Sequence, residues 1–205
     1  MKEWLKISAS LLTRPVVMYN ELKHVRYRSW GLSAILACLW FAVEIANRQL
    51  TGFRFNTNNP ETLNILIQLT LTIGVYVLYC VSNWAVCSIM SGEGRIDEIF
   101  TFTATALIPY LLCTCLSILL SNCFTLDEKD FLGWLTAIGI LWSGMLLFQA
   151  MRIVHNYSSG RTIFSILLTL FTMCIVLFIL FLLFALFNQI YIFINSVYSE
   201  LRFRY

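Results

Sequence analysis

Four stretches of this chain carry no charged side chain: residues 62–92, 99–126, 131–151 and 162–199. A helix needs about 20 mostly apolar residues to cross a bilayer, so each gap is long enough to be a membrane span. A fifth candidate, about residues 30–50, is apolar but includes Glu44 and Arg48. The expected fold class is therefore all-α: a polytopic integral membrane protein with five transmembrane helices, at about 30–50, 64–90, 98–120, 131–153 and 162–187. Residues 1–29 before the bundle and 188–205 after it are expected to form amphipathic helices at the membrane interface.

Composition agrees. Hydrophobic residues make up 59% of the 205 and charged residues 12%, against about 25% charged in soluble domains. No polar segment is long enough for a soluble catalytic domain, and no repeat period is visible. Of seven cysteines, six fall inside the apolar stretches, where free Cys behaves as a small hydrophobe. No CxxC or His-rich spacing points to metal. Neither a cofactor nor a nucleic-acid partner is expected, and disulfides are not. No cleavable signal peptide is recognisable, so the first span is expected to remain as an anchor.

Lys and Arg set orientation when loops are short. With five spans, one side collects Lys2, Lys6, Arg14, Lys23, Arg26, Arg28, Arg95, Arg152 and Arg161. The other collects Arg48, Arg54, Lys129, Arg202 and Arg204. The bias of nine against five predicts a cytoplasmic N-terminus and an extracellular C-terminus.

The N-terminal segment reads as two short amphipathic helices, the second capped by Thr13 with Pro15 in its first turn. Val16, Tyr19 and Leu22 continue an apolar stripe. Trp4, Lys6, Arg14, Lys23, Arg26 and Arg28 are candidates for docking on anionic lipid or on a partner. The competing reading is a cap packed on the cytoplasmic loops. At the other end, 162–199 is 38 residues, roughly 57 Å of helix against a bilayer core of about 30 Å. A break at Asn188 and Gln189 would let a second helix lie on the outer surface through Ile190, Ile194, Val197 and Leu201. One continuous helix, projecting outward or packed on a partner, is the alternative.

Ionisable groups inside a membrane are functional suspects. Glu44 and Arg48, four apart, are expected to pair near the outer end of span one. Asn83 at the inner end of span two, with Gln149, Arg152, His155 and Asn156 at the inner end of span four, are candidates for a polar cytoplasmic pocket. Snorkelling residues that serve only the loops would look the same. His155 titrates near neutral pH when unperturbed. Pro109 should kink span three. Gly139 with Ser143, and Ala42 with Ala46, are small residues four apart that would permit close helix approach. Residues 91–98 read as a tight loop with Asp97 and Glu98 at the start of the next helix. That loop is not a phosphate loop, because no GK[ST] follows. HExxH, GxSxG and paired intramembrane aspartates are absent, so no enzyme is expected.

Arg14-Pro15, Tyr19, Glu21-Leu22-Lys23, Thr51-Gly52-Phe53, Phe55-Asn56, Asn83-Trp84, Gly92-Glu93-Gly94 and Ile108-Pro109 together resemble the corresponding motifs of bacterial YIP-domain proteins. The likeness runs over about residues 13–204. It implies a five-helix domain related to the eukaryotic Yip/Yif group, a bacterial plasma-membrane location, and no known active site. Bacterial members of this type are often encoded beside carbohydrate ABC importer permeases and binding proteins. The functional expectation is thus a non-catalytic accessory subunit packing against importer permeases in a hetero-oligomer. A stand-alone transporter or channel, or a membrane-shaping trafficking-type protein, is the alternative.

Overall fold

The computed structural model describes residues 14–24, 30–56, 63–125 and 128–204. Among these the order is α1 (Pro15–His24), α2 (Trp30–Leu50), α3 (Ile65–Leu69), a π-helical turn (Thr70–Gly74), α4 (Val75–Ile89), α5 (Ile96–Ala106), α6 (Ile108–Ser121), α7 (Lys129–Val154) and α8 (Ser159–Arg204). The described residues contain helices and no strand, and five helical segments are long and apolar enough to cross a membrane. Those segments are α2, α3 through α4, α5 through α6, α7 and α8. Trp4, Lys6, Arg26, Arg28 and the Thr13 cap lie outside the described residues.

The third span is the axis of the bundle. Half of its most apolar window is buried, against 6% for α8. Its first half explains why: Thr101, Thr103, Ala104, Thr105 and Ala106 are small and buried, which lets neighbouring backbones approach closely. Two of these hydroxyls are satisfied within the helix, Thr101 donating to the Asp97 carbonyl and Thr105 to that of Phe102. Glu98 Oε2 accepts the Arg95 N–H at 3.0 Å, so the first turn closes on its own carboxylate.

Pro109 interrupts this span. The helix stops at Ala106 and restarts at Ile108. A proline ring displaces the carbonyl four residues back and disturbs the ladder around it. The Tyr110 N–H donates instead to Ser143 Oγ on α7, at 3.0 Å. One turn earlier on α7, a Cβ on Gly139 would stand 2.7 Å from Cys113 Cβ. Gly139 and Ser143 therefore do one job: they bring α7 against the broken helix. Ala42, by contrast, faces outward.

A second close approach ties α2 to the far end of α6. The Gly52 N–H donates to Ser121 Oγ at 2.9 Å, and a Cβ there would meet the Ser121 carbonyl oxygen at 2.3 Å. Asn122 Nδ2 donates to the Leu50 carbonyl and Asn56 Nδ2 to that of Arg48. The Thr51-Gly52 and Phe55-Asn56 pairs are thus structural clamps.

Two sequence expectations are corrected. α8 does not break at Asn188 and Gln189 but runs unbroken for 46 residues. Neither residue stops a helix, and no proline or glycine occurs between Arg161 and Arg204 to do so. Nor do Glu44 and Arg48 pair. Glu44 Oε1 accepts from Trp40 Nε1 at 3.1 Å and from the Tyr110 hydroxyl at 2.6 Å. Neutral donors already held by the bundle satisfy the carboxylate without desolvating a second charge.

Candidate functional site

The end of the bundle that carries α1 gathers most of the polar residues singled out in the sequence. α1 sits there because of its stripe. Tyr19 and Leu22 are buried against the bundle, and the Tyr19 ring stacks on Phe102 with centroids 5.3 Å apart. Val16 and Val17 remain exposed. Lys23 Nζ donates to the Ile153 carbonyl at 2.9 Å, where the end of α7 leaves carbonyls without intrahelical partners.

Both helices that end here do so in the same way. Asn156 has φ 56° and follows the last residues of α7, with Asn156 N–H on the Ile153 carbonyl and Tyr157 N–H on that of Arg152. Ser91 has φ 58° after α4, with the Gly92 N–H on the Cys87 carbonyl. These are Schellman closures built on left-handed residues. They turn the chain sharply and lay the Gly92-Glu93-Gly94 segment across the His155 ring. A Cβ on Gly92 would stand 2.8 Å from His155 Nδ1, and one on Gly94 would stand 2.6 Å from it and 2.4 Å from Val154 Cγ1. The two glycines are required by this approach, which the sequence reading as a tight turn did not reach.

His155 is 2% exposed and heads a directional chain of hydrogen bonds. Its Nε2 lies 3.0 Å from Asn83 Oδ1. Asn83 Nδ2 donates to Thr169 Oγ1 at 3.2 Å, and Thr169 donates to the Ser165 carbonyl at 2.8 Å. Because Asn83 offers its oxygen, the histidine carries its proton on Nε2. Cys87 Sγ lies 3.3 Å from Ser165 Oγ and completes the cluster. Burial, and then the charge of Lys23, push the His155 imidazole down to about 4, so it is neutral near pH 7. Tyr157 stacks on the ring at 5.4 Å and lies beneath the Arg161 guanidinium, 4.7 Å from its centroid. Burial pushes the Tyr157 hydroxyl up to about 12. Arg161 also donates to the Met90 carbonyl.

Of the expected pocket residues, Asn83 and His155 are thus joined in a buried network. Gln149, Arg152 and Asn156 line a separate open cavity of about 450 Å³ between α1 and the end of α7. Glu44, Arg48 and Pro109 belong to other parts of the bundle. Arg14 lies at the exposed start of α1, and Ile190, Ile194, Val197 and Leu201 lie exposed on α8. Cys87, Ser165 and Thr169 were missed by the sequence reading. The signal was present: Thr162, Ser165 and Thr169 recur at intervals of three and four in an otherwise apolar helix, and all three are buried. Among the described residues, no group of three His, Cys, Asp or Glu could hold a metal ion. The arrangement is a buried polar core, with His155 Nδ1 left without a hydrogen-bond partner among the described residues, beside an open, charged cavity.

No curated protein and no solved structure matches the chain. The Yip1 domain family model matches residues 9–198, a range that takes in the α1 anchor, the glycine strap, the Pro109 break and the bundle. The chain therefore belongs to the Yip1 domain family and is a multi-pass membrane protein.

Proposed function

We propose that this protein is a non-catalytic membrane subunit that packs against the permeases of a carbohydrate ABC importer in a bacterial plasma membrane. Its N-terminus lies in the cytoplasm and its C-terminus outside. The observation that carries this reading is the far part of α8. The helix has 46 residues, about 69 Å at 1.5 Å per residue, more than twice the hydrocarbon thickness of about 30 Å. Every residue from 177 to 203 is exposed. Past Asn188 the polar residues Asn195, Ser196, Ser199, Glu200 and Arg202 alternate with a stripe of Ile190, Ile194, Val197 and Leu201. An apolar stripe of this length, on an unbroken helix and uncovered by the bundle, is suited to a helical partner. The family resemblance supports the permease as that partner, and the excess of Lys and Arg around the first span supports the orientation. Extraction of the tagged protein in mild detergent tests the reading. A permease subunit recovered in stoichiometric amount is expected, and the protein alone would contradict it.

A second reading, a transporter in its own right, draws on Glu44, a half-buried membrane carboxylate bonded to Tyr110 beside the helix break. Substrate flux into proteoliposomes, abolished by Glu44→Ala, would favour it.

A further inference from the structure

We propose that the cavity between α1 and the end of α7 binds the phosphate ester of an anionic lipid headgroup that also carries a hydroxyl. The site is independent of the permease partner. Its volume, about 450 Å³, suits a small ligand. It opens at the end of a membrane-crossing helix, the depth at which lipid phosphates lie. Its cations are Lys23 and Arg152, against the one carboxylate of Glu93. Asn20 and Asn156 add neutral donors.

Two features mark a site made for a ligand of this kind. The first is that Glu93 already occupies the place of an anion, and holds it loosely. Its carboxylate stands 3.6 Å from Lys23 Nζ and 3.4 Å from Asn156 Nδ2, and its side chain is 62% exposed. These are long separations for charge-assisted contacts. A phosphate, with more oxygens and full access to Arg152, displaces it. The Arg152 side chain is exposed and has no hydrogen-bond or ion-pair partner among the described residues, so its guanidinium is open to bidentate phosphate binding. The second feature is Gln149 Oε1, buried on the cavity wall with no donor among the described residues. A turn of the Gln149 amide toward the cavity brings that oxygen to a headgroup hydroxyl, which supplies the donor; a bare phosphate does not.

The experiment is native mass spectrometry of the full chain in detergent, titrated with phosphatidylglycerol, with phosphatidylcholine and, as the soluble source, with glycerol phosphate. One saturable phosphatidylglycerol site is expected, about tenfold tighter than phosphatidylcholine. Arg152→Gln weakens it about tenfold, and Glu93→Gln tightens it several-fold by removing the internal competitor. An unchanged melting temperature shows that both variants fold. Equal binding of the two lipids overturns the proposal, as does phosphatidylglycerol affinity that neither substitution moves. Displacement of the lipid by equimolar glycerol phosphate overturns the lipid as the source and assigns the site to a free phosphate ester.

Discussion

The two ends of α8 lie on one uninterrupted helix and meet opposite fates. Near its start, Thr162, Ser165 and Thr169 are buried in the bundle and tied to Asn83 and Cys87. From residue 177 on, nothing is buried. The most apolar window of this helix, with a mean hydropathy of 3.1, has only 6% of its residues buried. In water so apolar a window would be covered, since apolar surface drives burial. In lipid, tails solvate Leu and Phe as well as another helix does, and specific packing falls to small and polar side chains. The polar stripe therefore fixes where α8 joins the bundle, and the apolar remainder is left uncovered by it.

If that contrast is right, substitutions at the packed end should cost stability and those at the free end should not. The largest effect is expected at the strap. Gly94→Ala drives a Cβ into Val154 and His155, and should lower stability by about 3 kcal/mol, read as a fall in melting temperature in detergent. Asn83→Ala leaves the His155 N–H unpaired in a buried site and should cost about 2 kcal/mol. In a double-mutant cycle with Thr169→Val the two losses should be non-additive. Additivity would mean that the network is not a unit.

Acid should sharpen the same contrast. The folded-state pKa of His155, about 4, lies below the unfolded value of about 6.5. Between those values the unfolded chain binds the extra proton, so the stabilisation is complete above pH 6.5 and is lost as pH falls toward 4. The loss is on the order of 3 kcal/mol. The groups around the ring are Lys23, whose cation opposes protonation, the stacked Tyr157 with Arg161 beyond it, and the Glu93 strap. Urea titrations at pH 7 and pH 5 should show the loss in wild type, and a flatter profile in His155→Phe. The smallest effect on stability belongs to the free end. Replacing Ile190, Ile194, Val197 and Leu201 together with Ser should leave the melting midpoint within about 0.5 kcal/mol of wild type, yet abolish permease recovery.

The spans were legible because charge-free length is a one-dimensional signal. Four gaps in the charge pattern and one weaker segment gave five spans, and five helical segments of sufficient length are found. Pro109 was legible for a similar reason, since a missing N–H acts locally. What escaped was the identity of partners. Glu44 and Arg48 had the right spacing, but the Tyr110 hydroxyl, 66 positions away, took the carboxylate. Gly92 and Gly94 announced a turn, whereas their need is set by a ring 61 to 63 residues later. Bilayer thickness argues for a break in α8, but the local sequence contains no residue that imposes one, and the helix continues.

α8 is packed within the bundle at its start, and the proposed function has a permease hold its far end. A photo-crosslinking amino acid placed at Ser165 and, separately, at Ile194 tests this directly in cells. The expected result is an intramolecular product from position 165 and, from position 194, an adduct of higher mass identified as a permease subunit. Lipid-only adducts at position 194, or permease adducts at position 165, would contradict it.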